Sequence, residues 1–163
     1  MTMKTGFRGL TSAQCSIVEY WESRRETETL PYRHRIDPGA LRSHLSDISI
    51  VEIDPQGEVV FRVVGSGLRS VLGRNLQGHA LSTVDGSVAD MFTLGLSAAL
   101  SRQLPAGGII DRANDRHAWL RLPLLDRKGG VSLVLCHDHL LKKSGSQTDI
   151  SYTISNIKPG LAA

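Results

Sequence analysis

The chain has 163 residues, 40% hydrophobic and 21% charged, with a formal net charge of +3. This is an ordinary globular composition of single-domain length, able to bury about 68–70% of its unfolded surface. The basic residues are scattered, the densest groups being Arg24-Arg25, Arg33-His34-Arg35 and Lys142-Lys143, and they form no stripe of the kind a nucleic-acid surface requires.

Aromatic residues make up only 5% of the chain, so the core is expected to be mostly aliphatic. The two cysteines, Cys15 and Cys136, have neither metal nor disulfide spacing and read as reduced, buried thiols. The N-terminus lacks an apolar signal core, and no run approaches about 20 apolar residues. A cytoplasmic protein without membrane insertion is therefore expected.

Met1 to Leu10 reads as a loose leader, and residues 11–141 as one domain. Thr11 and Gln14 form a capping-box start. From there to about Glu26, Ile17, Val18 and Trp21 share one face at helical spacing. This amphipathic helix needs a surface to dock on. Thr27 to Ile36 is extended and broken by Pro31. Asp37-Pro38 opens a short helix to about Leu45, because Asp accepts from free N–H groups and proline suits the first helical position.

Ile48 to Ile53 and Glu58 to Val64 read as the arms of an antiparallel hairpin around the Asp54-Pro55-Gln56-Gly57 turn. Leu68 to Leu72 is a short helix, and Asn75 to Val84 is irregular. Ser87 to Gln103 carries the longest helical pattern, apolar over much of its circumference, and is expected to be one buried helix ended by Pro105-Ala106-Gly107-Gly108. Strands are expected at Ile109 to Ala113, His117 to Leu125 and Val131 to His137, the last two joined by the Asp126–Gly130 loop. Residues 142–163 form a polar tail in which Ile150 to Ile157 alternates and is a candidate extra strand.

Two antiparallel strand groups around a helical middle make an α+β domain. Particular residues sharpen this. Tyr20-Trp21, Pro31, Arg33, Ile36-Asp37-Pro38 and Leu41 are followed by Arg62, Gly65, Gly73 and Gly78, then by Leu122-Pro123-Leu124 with Asp126. In this order they resemble a bacterial PAS-like family over about residues 15 to 138. The resemblance implies a five-stranded antiparallel sheet with helices over one face, often dimeric, used for sensing or protein contacts. The N-terminal helix is expected on the other face.

Gly65-Ser66-Gly67 invites a dinucleotide reading, but the third glycine position is Ser70 and the preceding strand is a hairpin arm. Gly65 is better read as a sharp exit from the strand. Gly73-Arg74-Asn75-Leu76-Gln77-Gly78 resembles light-sensing LOV domains without their cysteine segment, which argues against a flavin–cysteine adduct. No histidine lies between Ser87 and Gln103, which argues against haem ligated from that helix. His137-Asp138-His139 offers two imidazoles on one strand face but no third ligand, so no metal site is assigned. Ser155-x-x-Lys158 has no companion motif and reads as chance.

Along residues 117–125, Ala118, Leu120, Leu122 and Leu124 form a core face. His117, Trp119 and Arg121 line the other. Those three read either as a contact surface or, preferred for Trp119, as a residue covered by the N-terminal helix beside a solvated Arg121. Arg62 reads as a pocket residue or as a partner of a carboxylate such as Asp111. The ligand-pocket candidates are Phe61, Arg62, Val63, Met91, Phe92, Leu120 and Leu122; the interface candidates are Ile17, Val18, Trp21 and Trp119. No catalytic set assembles, so an enzyme is not expected. The expectation is a stand-alone sensory or regulatory domain that binds a small molecule or protein partner and signals in trans. The alternative is a ligand-free homodimeric interaction module built on the N-terminal helix.

Overall fold

The structure is a computed structural model that describes residues 9–27 and 29–142. The candidate strand at Ile150 to Ile157 and the Ser155/Lys158 pair lie outside them. Helix α1 (Ser12–Ser23) opens with the expected capping box: Thr11 Oγ1 accepts from Gln14 N, and Gln14 Oε1 accepts from Thr11 N. A 3-10 turn at Arg33–Arg35 and a kinked 3-10 segment at Pro38–Asp47 follow, the latter capped by Asp37 at Gly39 N. Next come β1 (Ile48–Ile53), β2 (Val59–Val64), α2 (Ser66–Leu72), a 3-10 turn at Leu81–Thr83, α3 (Gly86–Thr93) and α4 (Leu96–Arg102). The described chain closes with β3 (Ala106–Asp111), β4 (Asp115–Leu125) and β5 (Val131–Lys142).

All strand pairs are antiparallel, in the order β2-β1-β5-β4-β3. Each sheet face carries its own core. On one side Leu120, Leu122, Leu124, Leu133 and Leu135 pack with Ile17 and Trp21 of α1 and with Ile36 and Leu41. On the other side Val51, Phe61, Val134 and Cys136 pack with Leu68, Leu76, Phe92 and Leu96. Trp21 fixes α1 in place, its Nε1 donating to Pro123 O at 3.0 Å. This is an α+β fold in which helices cover one sheet face and the N-terminal helix docks on the other.

The structure revises several expected elements, among them β5, which runs on to Lys142 where a strand ending at His137 was expected. The single helix over Ser87 to Gln103 is two, broken at Leu94-Gly95, where Gly95 has φ +77. Glycine reaches this left-handed region without steric cost. A Cβ there would overlap the Trp119 ring, so the break is also a docking notch. The third strand begins at Ala106 rather than Ile109, because Gly107 and Gly108 pair with Leu120 and Trp119 instead of forming a loop.

Candidate functional site

Strands β4 and β5 place a buried charge cluster on the helix-covered face. Asp138 lies one cross-strand step from Trp119 and Arg121, whose register partners are Asp138 and Cys136. Its carboxylate accepts both ends of the Arg121 guanidinium, Nη2 to Oδ1 at 2.8 Å and Nη1 to Oδ2 at 3.1 Å. Such fork-to-fork pairing is the strongest geometry open to arginine and carboxylate. His117 Nε2 donates to Oδ1 at 2.7 Å; an ionised carboxylate only accepts, so Nε2 carries the proton.

Arg121 is 0% exposed, and its remaining donors reach backbone carbonyls: Nε to Leu94 O at 2.9 Å, Nη1 to Leu120 O at 2.8 Å and Nη2 to Met91 O at 2.9 Å. Each of the five guanidinium N–H groups thus has an acceptor. Met91 and Leu94 are carbonyls at the end of α3, where the helix dipole favours a cation. Burial is the largest influence and opposes the charge on Arg121, but the Asp138 carboxylate, its hydrogen bond and Cys136 together hold the guanidinium's pKa above its usual value. Burial likewise pushes the Asp138 carboxyl upward, yet Arg121 and the His117 hydrogen bond hold it below the usual carboxylate range.

Asp138 also forms part of the wall of a cleft of about 190 Å³ between α2, α3 and β5. Leu68, Val71, Met91, Phe92 and Leu140 supply its apolar walls, while Asp47, Asp138 and His139 supply its polar end. His139 Nδ1 lies 2.9 Å from Asp47 Oδ2. The cleft is smaller than the roughly 300–1,000 Å³ of sites for drug-sized ligands. Phe61 and Phe92 fill the space beneath it, packed edge to face with centroids 5.8 Å apart.

A family model described as a PAS domain matches residues 10–93, just over half of the chain. The chain belongs to the PAS domain family. Among solved structures, the PAS domain resembles a light-oxygen-voltage domain studied with a flavin analogue, at 15% identity and TM-score 0.44 over 64% of this chain and 84% of that one. It also resembles the dark structure of the blue-light photoreceptor Aureochrome1 LOV, at 14% identity and TM-score 0.43 over 73% and 90%. A third is the PAS domain of a protein from Colwellia psychrerythraea, at 17% identity and TM-score 0.41 over 66% and 99%. No curated protein matches the sequence.

The PAS domain distributes the pocket candidates over both sheet faces. Met91 and Phe92 line the cleft, and Phe61 is sealed behind Phe92. Val63, Leu120 and Leu122 belong to the opposite core, under α1. The cause is a bulge: Ile50 pairs with Val63 but Val51 pairs with Phe61, so β2 spends an extra residue, Arg62, and Phe61 and Val63 turn to opposite faces. Arg62 is exposed and bonded from Nε to Glu52 Oε1 at 2.7 Å, not to Asp111, which instead meets Arg116.

The interface candidates are also relocated. Ile17 and Trp21 are 0% and 1% exposed within the chain's own core, and Val18 packs against that core. The face on which a dimer through α1 depends is therefore occupied. Trp119 is not covered by α1; it sits on the helix side against Gly95 and Gly108, with Arg121 5.8 Å from its ring centre. Arg121 is buried rather than solvated because Asp138 and three carbonyls replace its water. Cys136 lies on the same face, and burial pushes its thiol up to about 12. His137 faces the α1 side and accepts from Gln14 Nε2 at 3.2 Å, so the two imidazoles of the histidine pair serve separate contacts. Among the described residues no group of three His, Cys, Asp or Glu could hold a metal, and no helix is long and apolar enough to cross a membrane.

Asp138 is the residue that sequence reasoning passed over as a binding site, and His117 entered that reasoning only as part of a contact surface. The available signal was the polar line His117-Trp119-Arg121 facing the Asp138 position of the next strand.

Proposed function

We propose that this PAS domain is a sensory or regulatory module that binds a small polar molecule in the cleft between α2, α3 and β5. The observation that carries the reading is the double role of Asp138. Its carboxylate borders the cleft, and through Arg121 it is tied to the Met91 and Leu94 carbonyls at the α3–α4 break. A ligand that competes for Asp138 loosens that tie, and one that bridges Asp138 to α3 tightens it. Either gives the ligand a different free energy in two arrangements of α3–α4, which is what a response requires.

The cleft volume points to a ligand well below flavin or haem size, with a hydrogen-bond donor for Asp138 or Asp47. Native mass spectrometry of gently purified protein tests this. A small co-purifying ligand is expected on the wild type and absent from Val71→Phe, which fills the cleft. If neither protein carries a ligand, and a panel of small polar metabolites shifts the melting of neither, the reading fails.

A further inference from the structure

The α1-covered face of the sheet is not covered to its end. Where β1 runs into its turn and β5 begins, it opens as a groove of about 1000 Å³. Leu133 and Ile53 contribute apolar floor, and Arg33, His34, Arg127 and Lys128 stand around the rim. Their convergence is built into the backbone. Tyr32 bridges Leu125, and Leu125 N donates to Pro31 O at 2.9 Å, which sets the Arg33–Arg35 turn beside the Asp126–Gly130 loop.

The carboxylates of the groove are already engaged. Glu52 holds Arg62, and Asp54 accepts from Gln56 N and Glu58 N at 2.9 and 2.8 Å. Asp126 accepts from Ser132 Oγ at 2.9 Å and from Lys128 N and Gly130 N. The Ser132 bond leads the interactions that hold Asp126 below the usual carboxylate range. Arg33 and Arg127 make no ion pair among the described residues. The acids thus shape the loops, and Lys128 also acts on the Asp126 carboxylate, so Arg33 and Arg127 are the cations of the groove best placed to meet something negative.

We propose that this groove binds an organic phosphate of nucleotide size. Its phosphate groups sit on Arg33, Arg127 and Lys128, and its apolar part lies over Leu133 and Ile53. Arginine matches phosphate with two parallel hydrogen bonds, and lysine adds a point charge. The site lies on the opposite sheet face from the interior cleft and stands or falls independently of it.

The test is an amide NMR titration of the full chain with ATP and, separately, with inorganic tripolyphosphate as an equally charged control without a base. Expected with ATP are shifts confined to residues 32–34, 52–54 and 126–133, with affinity falling as salt rises. ATP is expected to bind at least tenfold more tightly than tripolyphosphate, and at least tenfold more tightly than it binds Arg33→Glu/Arg127→Glu. Arg33→Gln/Arg127→Gln serves in its place if the charge-reversed protein does not fold. Unchanged affinity in the folded variant overturns the site. So do shifts spread over Arg24, Arg69 and Arg74, and tripolyphosphate binding as tightly as ATP removes the apolar contact from the proposal.

Discussion

At the scale of single residues, Arg121 organises more of the molecule than any other side chain described. Removing one partner of a buried ion pair leaves the other charge stranded, at a cost of about 3–5 kcal/mol. Arg121→Met is expected to destabilise the fold by that amount in urea denaturation, and Arg121→Met/Asp138→Leu to recover much of it. His137 gives a pH dependence. Burial pushes its imidazole down to about 4, and its Nδ1 accepts from Gln14. The unfolded chain binds this proton near pH 6.5, so between about 6.5 and 4 the unfolded state holds more protons. Stability from this group is complete above about pH 6.5 and falls as pH drops toward 4, by on the order of 3 kcal/mol in all. His137→Gln is expected to flatten thermal melting temperature against pH over that window. Neither residue's role was readable from its own neighbours in sequence. Arg121 and Asp138 are joined by the β4–β5 register, and a solvated arginine is the default until a carboxylate is known to face it.

At the scale of elements, what was legible followed local rules. The Thr11–Gln14 capping box, the Asp37 cap, the Asp54–Gly57 turn and the Asp126–Gly130 loop form where turn and cap chemistry place them. The break between α3 and α4 was not legible, because the apolar periodicity of residues 87–103 continues through it. The break is stabilised by Trp119, which arrives from another strand and occupies the space a side chain at residue 95 would need. Gly95→Ala is expected to cost about 1–3 kcal/mol from the overlap, beyond the strain of φ +77. In chemical denaturation, Gly95→Ala/Trp119→Ala should then lose less than the sum of its single changes. The bulge at Arg62 escaped for a related reason: strict alternation put Phe61 and Val63 on one face, and one unpaired residue separates them.

At the scale of the whole molecule, the α+β class was legible from the order of strand and helix patterns, and the five-stranded layer arrangement from the resemblance to PAS-like domains. Of the site only Met91 and Phe92 were legible, because the rest is made where elements distant in sequence meet: α3 with β4 and β5 at the cleft, and the Arg33–Arg35 turn with the β4–β5 loop at the groove. The strand order β2-β1-β5-β4-β3 has one further consequence. The latest of the described strands, β5, occupies the middle of the sheet, flanked by β1 and β4. A ribosome making this protein releases the β1–β2 hairpin and then the β3–β4 hairpin with no edge in common. The two hairpins are joined into one sheet only through residues 131–142. The sheet is therefore complete only once its final described strand has paired with both β1 and β4.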